Sequence, residues 1–321
     1  MPVSRRTFFA SSAVAASSTI LPANSSGSVA LPAASGVPGK EAVGQFRYCL
    51  NTSTIRGQTE DIVQQIEIAS TAGYDAIEPW IRHIEKYVQD GGSLADLKKR
   101  IDDAGLTVES AIGFAKWIVD DEAERQAGLE TAKRDMNMLA NIGGKRIAAP
   151  PIGAHRNSDQ LDPFVMAERY GELLKVGDIT GVVPQLEVWG FSDNLSRLGE
   201  SVMVCVESGH PKACLLPDVY HIFKGGSPFT GLDLLADDAV HVFHMNDYPA
   251  TPVREKMNDS DRVYPGDGVA PLAEILNMIS SPNRSMVLSL ELFNKEYWKQ
   301  DADVVAKTGL EKMKAAVAGM K

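Results

Sequence analysis

Residues 213–221 read Ala-Cys-Leu-Leu-Pro-Asp-Val-Tyr-His, a short apolar run that ends abruptly in an acid and a histidine. A run of this length, bounded by polar residues, is typical of a strand buried on both faces of a parallel sheet. Asp218 needs a cation, a hydrogen-bond network or solvent, because an uncompensated buried carboxylate would cost several kcal/mol. The stretch therefore predicts a buried strand with polar chemistry at its carboxyl end.

Three further apolar runs also end in a side chain that can bind a metal. They are residues 182–187, ending in Glu187, residues 239–244, ending in His244, and residues 286–291, ending in Glu291. Alternate positions before the four ends share their side of the strand, so the four terminal side chains are expected to point toward one interior. Those positions are Gln185 and Val183, Leu216 and Cys214, Val242, and Ser289 and Val287.

The order of elements along the chain favours a barrel. From about residue 45 onward, short β-rich runs alternate with helical patterns eight times, the signature of βα units and a parallel sheet. Eight such pairs in about 275 residues match a (β/α)8 TIM barrel, which usually has about 250 residues. A doubly wound sheet is the alternative, but residues 51–56, Asn-Thr-Ser-Thr-Ile-Arg, are not its glycine-rich phosphate turn. We therefore predict an α/β fold, a TIM barrel with its active site at the carboxyl ends of the strands.

The periodicity also predicts where the helices lie. The predicted helices cover residues 60–72, 93–104, 122–141, 163–177, 194–208, 232–237, 270–279 and 302–318.

Taken together, the four residues at the strand ends predict a metal site. Strands five to eight are neighbours in a closed sheet, so inward side chains at their ends approach one another. Any one of them alone is more often a helix cap, a loop hydrogen-bonder or a satisfied core histidine. Three carboxylates and one imidazole on consecutive strands suit one divalent ion, Mn²⁺, Mg²⁺ or Co²⁺, with Zn²⁺ as a further candidate.

Several short motifs carry a resemblance to a known family. They are Ala-Gly-Tyr-Asp-Ala-Ile-Glu at 72–78, Leu-Glu at 186–187, Asp-Val-Tyr-His at 218–221, His-Met-Asn-Asp at 244–247, Tyr-Pro-Gly-Asp-Gly at 264–268 and Leu-Glu-Leu-Phe at 290–293. Together they resemble the xylose isomerase-like TIM barrel family of sugar phosphate isomerases and epimerases. That family includes ketose 3-epimerases, hydroxypyruvate isomerase and inosose dehydratase. The resemblance covers nearly the whole chain after its N-terminal segment.

The resemblance implies roles for individual residues. The family's metal ligands fall on Glu187, Asp218, His244 and Glu291, and its substrate-contacting histidine falls on His221. The arginine that some epimerases use after strand seven falls on Arg254 or Arg262, and spacing does not choose between them.

Further pocket residues are candidates only. They are Asp247, Trp189 and His155, and for His155 a solvated loop position is the alternative. Glu78 is either a polar lining group or a partner for a nearby basic residue. The histidine that many relatives carry near the end of strand three is absent from residues 108–113, so the substrate pocket is expected to differ.

These residues predict a divalent-metal-dependent isomerase or epimerase of a ketose or keto-polyol. The reaction would move a proton through a metal-bound enediolate, with Glu187 and Glu291 as acid and base. Alternatives are a dehydratase of the inosose type, an endonuclease-IV-like metal hydrolase and a non-catalytic sugar-binding barrel. The hydrolase is disfavoured because its metal cluster needs many histidines and the chain has six.

Charge and the N-terminal segment bear on partners and location. A net charge of −10 argues against a nucleic-acid partner, and the expected partner is a small carbohydrate. Residues 4–10, Ser-Arg-Arg-Thr-Phe-Phe-Ala, followed by a weakly apolar run, resemble a twin-arginine export signal. We predict an export signal and linker over residues 1–44, one catalytic barrel over residues 45–321, and a periplasmic or extracellular protein without a stable membrane anchor after processing. A homo-oligomer is left open.

Overall fold

The computed structural model of the protein describes residues 46–320. The eight strands are β1 (Phe46–Asn51), β2 (Ala76–Glu78), β3 (Thr107–Val108), β4 (Arg146–Ala149), β5 (Val183–Glu187), β6 (Leu215–Leu216), β7 (Val242–Met245) and β8 (Met286–Leu290). The α-helices are α1 (Ile62–Ala72), α2 (Ile81–Gln89), α3 (Leu94–Asp103), α4 (Glu122–Asn141), α5 (Pro163–Thr180), α6 (Leu198–Glu207), α7 (Val219–Lys224), α8 (Leu272–Ile279) and α9 (Ala302–Ala318).

All neighbouring strands run parallel, in two groups that join at two seams. The groups have the orders β3-β2-β1-β8-β7 and β4-β5-β6. At the first seam, between β6 and β7, Asp218 forms a parallel bridge with His244. At the second, the backbone N–H of Ala111, just after β3, donates to the carbonyl of Arg146 in β4 at 3.1 Å. The sheet thus closes into the (β/α)8 barrel that the sequence predicts.

Local signals in the sequence set the ends of the helices. Asp121 caps α4, where its side chain accepts a hydrogen bond from the backbone N–H of Glu124. Asp162 caps α5 in the same way, directly before Pro163 in the first turn. Helix α1 ends at Gly73, whose φ of 92° is the left-handed conformation that glycine adopts without steric cost.

Two helices differ from the sequence-based prediction. The apolar stretch that was expected to stay extended to residue 221 forms only the short strand β6 and then turns into α7. The turn is favoured because Pro217 has no backbone N–H for a sheet and Asp218 caps the helix, accepting from the N–H of His221 at 2.8 Å. Helix α2 was not predicted, although Ile81 and Ile84 on one of its faces are buried.

The predicted helix at residues 232–237 is also different. Two short 3₁₀ segments, Phe229–Leu234 and Asp237–Ala239, take its place. A 3₁₀ turn suits a short connector, since its hydrogen bonds are too poor to sustain a long run.

Of the two regions predicted from the sequence, only the catalytic barrel lies within the described part of the chain. Residues 46–320 form the barrel, while the predicted export signal and linker at residues 1–44 lie outside the described residues. Among the helices of residues 46–320, none is long and apolar enough to span a bilayer.

Candidate active site

Three of the four predicted ligands converge at the carboxyl ends of the strands. Glu187 ends β5, His244 lies in β7 and Glu291 directly follows β8. One ligand atom from each lies within 4.8 Å of the other two, and all three residues are buried. The distance between His244 Nδ1 and Glu291 Oε2 is 3.3 Å. Two carboxylates and an imidazole therefore face one another in the barrel interior.

Asp218, the fourth predicted ligand, lies beside this group but already has donors. Its Oδ2 atom is 3.9 Å from His244 Nδ1. The same oxygen accepts hydrogen bonds from Asn246 at 2.8 Å and from Arg262 at 3.0 Å. The other oxygen caps α7 at the N–H of His221. Asp218 is thus at the edge of the group and holds the neighbouring helix in place.

The group has the features that a divalent cation would satisfy. Glu187 Oε2 and His244 Nδ1 are buried and have no hydrogen-bond partner among the described residues. Buried polar atoms without a partner are uncommon, because each carries a desolvation cost. Burial, and then the charge of Glu291, raise the pKa of Glu187 to about 8. A divalent ion would pair both orphaned atoms and offset the crowded negative charge, so these residues fit a metal.

Glu78 orients the imidazole of His244. Glu78 Oε2 lies 3.0 Å from His244 Nε2, and it also accepts from Ser289 Oγ at 2.6 Å and from Asn51 Nδ2 at 2.9 Å. An imidazole that donates through Nε2 presents Nδ1 to Glu187 and Glu291. A carboxylate behind a metal-binding histidine is a common arrangement, since it fixes the ring and its tautomer. Of the two roles considered for Glu78, the structure supports that of a partner for a basic residue.

Arg262 enters the site from the loop after β7. Its side chain is 1% exposed. Nη1 donates to Asp218 at 3.0 Å and to Glu291 at 2.8 Å, and Nη2 contacts Asp259 at 2.6 Å and His221 Nε2 at 2.9 Å. Because arginine is always a donor, the facing nitrogen of His221 accepts. One buried guanidinium thus connects two of the four predicted ligands to the predicted substrate histidine.

A cavity of about 450 Å³ opens above these groups. Glu187, Glu291, His221 and Arg262 lie in its wall. Six aromatic side chains also line it, namely Trp80, Phe114, Trp189, Phe191, Phe293 and Trp298. Its size is within the usual range for small-molecule sites, and it combines apolar walls with a few convergent polar groups.

Comparison with known proteins identifies the family. Residues 66–316 match the sequence profile of the family described as xylose isomerase-like TIM barrel. The chain belongs to this family. The match covers most of the barrel, from within α1 to within α9.

Similar proteins and similar solved structures carry related names. An inosose isomerase of Bacillus velezensis FZB42 is 26% identical over 279 residues, which are 85% of this chain and 98% of that protein. A 3-dehydro-D-guloside 4-epimerase of Escherichia coli K12 is 24% identical over 243 residues, 70% of this chain and 84% of that protein. The crystal structure of an IOLI protein with a bound zinc atom superposes with a TM-score of 0.78 at 21% identity, covering 86% of this chain and 99% of the other. These relatives confirm the prediction of an isomerase or epimerase.

Only some of the other pocket residues predicted from the sequence line the cavity. Trp189 and His221 line the cavity. His155 lies behind the wall, where its ring packs edge-on against Trp189 at 5.5 Å between centroids. Their roles in binding stay predictions.

Two assigned residues lie elsewhere. Arg254 is half exposed and has Glu255 at 3.4 Å, outside the cavity lining, so Arg262 is the arginine that faces the site. Asp247 is also absent from this cavity. Its carboxylate accepts hydrogen bonds from four backbone N–H groups, those of Tyr248, Gly266, Gly268 and Ala270. With its oxygens engaged in this way, Asp247 orders the loop after β7 instead of contacting a substrate.

Sequence reasoning did not select several residues of the cavity wall. They are Arg56, Arg156, Asp259, Phe293 and Lys295. All lie in loops after strands, where side-chain direction follows from the path of the loop and not from strand alternation. Of these residues, only Phe293 could have been found from the sequence, because it lies two residues after Glu291.

Proposed function

We propose that the protein is a divalent-metal-dependent isomerase or epimerase of a ketose or keto-polyol. The observation that carries this proposal is the buried group of Glu187, His244 and Glu291, which has two ligand atoms without a partner among the described residues. Glu187 and Glu291 of this group lie in the wall of a cavity large enough for a sugar. The names of the relatives, an inosose isomerase and an epimerase of a keto-glycoside, support a cyclic or open-chain polyhydroxy ketone as substrate.

The metal would be held by Glu187, His244 and Glu291, with Asp218 as the neighbouring fourth carboxylate. When bound, a divalent ion supplies Lewis-acid polarisation of a substrate carbonyl. The donor set accommodates Mn²⁺, Mg²⁺, Co²⁺ or Zn²⁺, and the zinc in the similar IOLI structure supports the last of these.

The chain's own groups perform the proton transfer. Glu187 and Glu291 project from different strands into one cavity, so a substrate between them exposes a carbon-bound proton to one carboxylate and its other side to the second. Return of a proton to the opposite face gives epimerisation, and return to the adjacent carbon gives isomerisation. Arg262 and His221 line the cavity and would contact substrate oxygens, which would orient the ketone.

A proton-exchange screen tests this function. The purified protein with its metal is incubated in D₂O with an inosose, several ketoses and hydroxypyruvate, and deuterium incorporation is followed by proton NMR. We expect incorporation at the carbon next to the carbonyl, together with a new epimer or isomer. Loss of water in place of an epimer would favour the inosose-type dehydratase. No exchange with any compound would contradict the proposal and favour a binding barrel, or a hydrolase if a phosphodiester is cleaved.

Metal content gives a second, independent expectation. We expect about one divalent ion per chain, and we expect His244→Ala to lose most of it because the site then lacks its only nitrogen ligand. Glu78→Gln should retain the ligands but weaken metal affinity by roughly 10- to 100-fold, since it alters the group that orients His244. Elemental analysis and competition with a chelator measure both effects.

A suitable control is His210→Ala, which removes a histidine that contacts Asp178 at 3.0 Å on the surface. This variant should keep its full metal content. Equal metal content in His244→Ala and His210→Ala would show that the metal site is elsewhere or absent.

We also propose export through the twin-arginine route to the periplasm or the exterior. The support is the order of features in residues 4–23, an arginine pair, two phenylalanines and a modest apolar run. Changing Arg5 and Arg6 to Lys should retain the precursor in the cytoplasm, as measured by fractionation and immunoblotting. Undiminished export of that variant would refute this route.

A further inference from the structure

Arg56 lies in the cavity wall without an acidic partner. Its guanidinium carbon is 4.8 Å from the ring centroid of Trp80 and 4.9 Å from those of Phe293 and Trp298. Within residues 46–320, no carboxylate oxygen lies within 4.0 Å of its side-chain nitrogens, and no hydrogen bond from its guanidinium is formed. The rings stabilise the charge through their faces, but they leave the N–H donors of Arg56 available to the cavity.

The aromatic cage around Arg56 is held by the surrounding chain. Trp298 donates from Nε1 to the carbonyl of Ser53 at 3.1 Å. Its side chain packs so closely over Gly57 that a Cβ atom at that position would overlap it. Trp298 therefore has a fixed orientation, and Arg56, one residue before this glycine, is confined between fixed rings. A pre-positioned guanidinium loses little conformational entropy when it binds a ligand.

Two further cations of the cavity wall have no ion pair within residues 46–320, whereas two of its carboxylates do. Arg156 lies over the ring of Phe191 at 5.0 Å, and Lys295 is exposed. Neither forms an ion pair within the described part of the chain. The carboxylates of Asp259 and Glu291, by contrast, are both paired with Arg262. With Glu187, the lining has four cations and three carboxylates, and the three cations without an ion pair among the described residues would attract an anion.

We infer that the cavity contains a subsite for an anionic group of the substrate, a carboxylate or a phosphate, with Arg56 as its main contact. This inference rests on the proposed function and specifies its substrate class. The guanidinium fork matches two oxygens of a carboxylate or phosphate. Lys295 and Arg156 add positive charge to the lining of the same cavity. A polyhydroxy ketone that carries an acid group would thus be preferred over a neutral one.

Three sugars that share C1 to C5 test the subsite. D-Fructose has a hydroxyl at C6, D-fructuronate has a carboxylate there, and D-fructose 6-phosphate has a phosphate. Binding to the purified protein with its metal is measured by titration calorimetry at fixed ionic strength. We expect one or both anions to bind roughly 10- to 100-fold more tightly than fructose, the usual range for a hydrogen bond to a charged group.

Variants of two arginines that stack on the same tryptophan test whether Arg56 causes the anion preference. Arg56→Met should abolish the preference for the anion. Arg82→Met should keep it, because Arg82 stacks on Trp80 at 4.2 Å but pairs with Glu60 outside the cavity. If Arg56→Met does not fold, Arg56→Lys is used, which keeps the charge without the two-pronged geometry and should retain only part of the preference.

The outcomes separate this subsite from the proposed function. A carboxylate preference or a phosphate preference that is lost in Arg56→Met supports the subsite and identifies the anion. No detectable binding of either anion, or equal binding of all three sugars, overturns it. Deuterium exchange is measured in the same samples. Exchange without an anion preference keeps the proposed function and rejects the subsite. An anion preference without exchange, either in these samples or with any compound of the wider screen, keeps the subsite and rejects the function.

Discussion

Replacing Glu187 by Gln should lower proton exchange into the substrate by about 10²- to 10⁴-fold, the usual contribution of a general acid or base. The amide keeps an oxygen that can contact a cation, but it cannot carry a proton. Glu187 suits this test because its Oε2 atom makes no hydrogen bond to the described residues. Its replacement therefore disturbs few other contacts. The measurement is the rate of deuterium incorporation at saturating Mn²⁺.

The metal concentration distinguishes two explanations of such a loss. If Glu187 only binds the metal, raising the metal concentration should restore the rate of Glu187→Gln. If it moves a proton, excess metal should have no effect. Glu130→Gln, on the exposed face of α4, is a matched control that should exchange at the normal rate. Near-normal exchange in Glu187→Gln would defeat the proton-transfer role.

Replacing Arg262 by Met should destabilise the metal-free protein by about 3–5 kcal/mol, the range for removing one partner of a buried ion pair. The change leaves Asp218 and Glu291 buried without the cation that now bridges them at 3.0 and 2.8 Å. A divalent ion at the same carboxylates would supply the missing charge. Addition of metal should therefore recover part of the loss, as measured by urea unfolding with and without a chelator.

Arg254 provides the control for this experiment, because it comes from the same loop and is half exposed beside Glu255. Arg254→Met should change the free energy of unfolding by less than about 0.5 kcal/mol, since exposed ion pairs contribute little. Equal stabilities of Arg262→Met and Arg254→Met would show that the buried guanidinium is not needed to balance the two acids.

The sequence predicted the elements whose signals are local and strong. The bounds of α4 and α9 agree with the prediction, since each follows a clear periodicity with a cap or a glycine nearby. The convergence of Glu187, His244 and Glu291 also followed from the sequence, because parallel strands in a barrel present their carboxyl ends together.

Other features depend on the path of loops and were not predictable from periodicity. The sequence could not choose between Arg254 and Arg262, since only the folded loop after β7 turns one of them inward. Asp247 is a pocket candidate by sequence, yet nearby backbone N–H groups engage its carboxylate. An acid after a strand can thus be a helix cap or a loop anchor, and Asp218 both caps α7 and pairs with Arg262.

The seam between β6 and β7 has a consequence for the motions of the barrel. There the two groups of strands are joined by isolated bridges, including that of Asp218 with His244, in place of a continuous ladder. Backbone amide hydrogens along such a junction exchange with solvent after a more local opening of the structure than amide hydrogens within a long ladder need. Glu187 and Asp218 belong to one side of the seam, and His244 and Glu291 to the other. A ligand that binds side chains from both sides would therefore hold the seam closed and reduce local opening of the barrel wall.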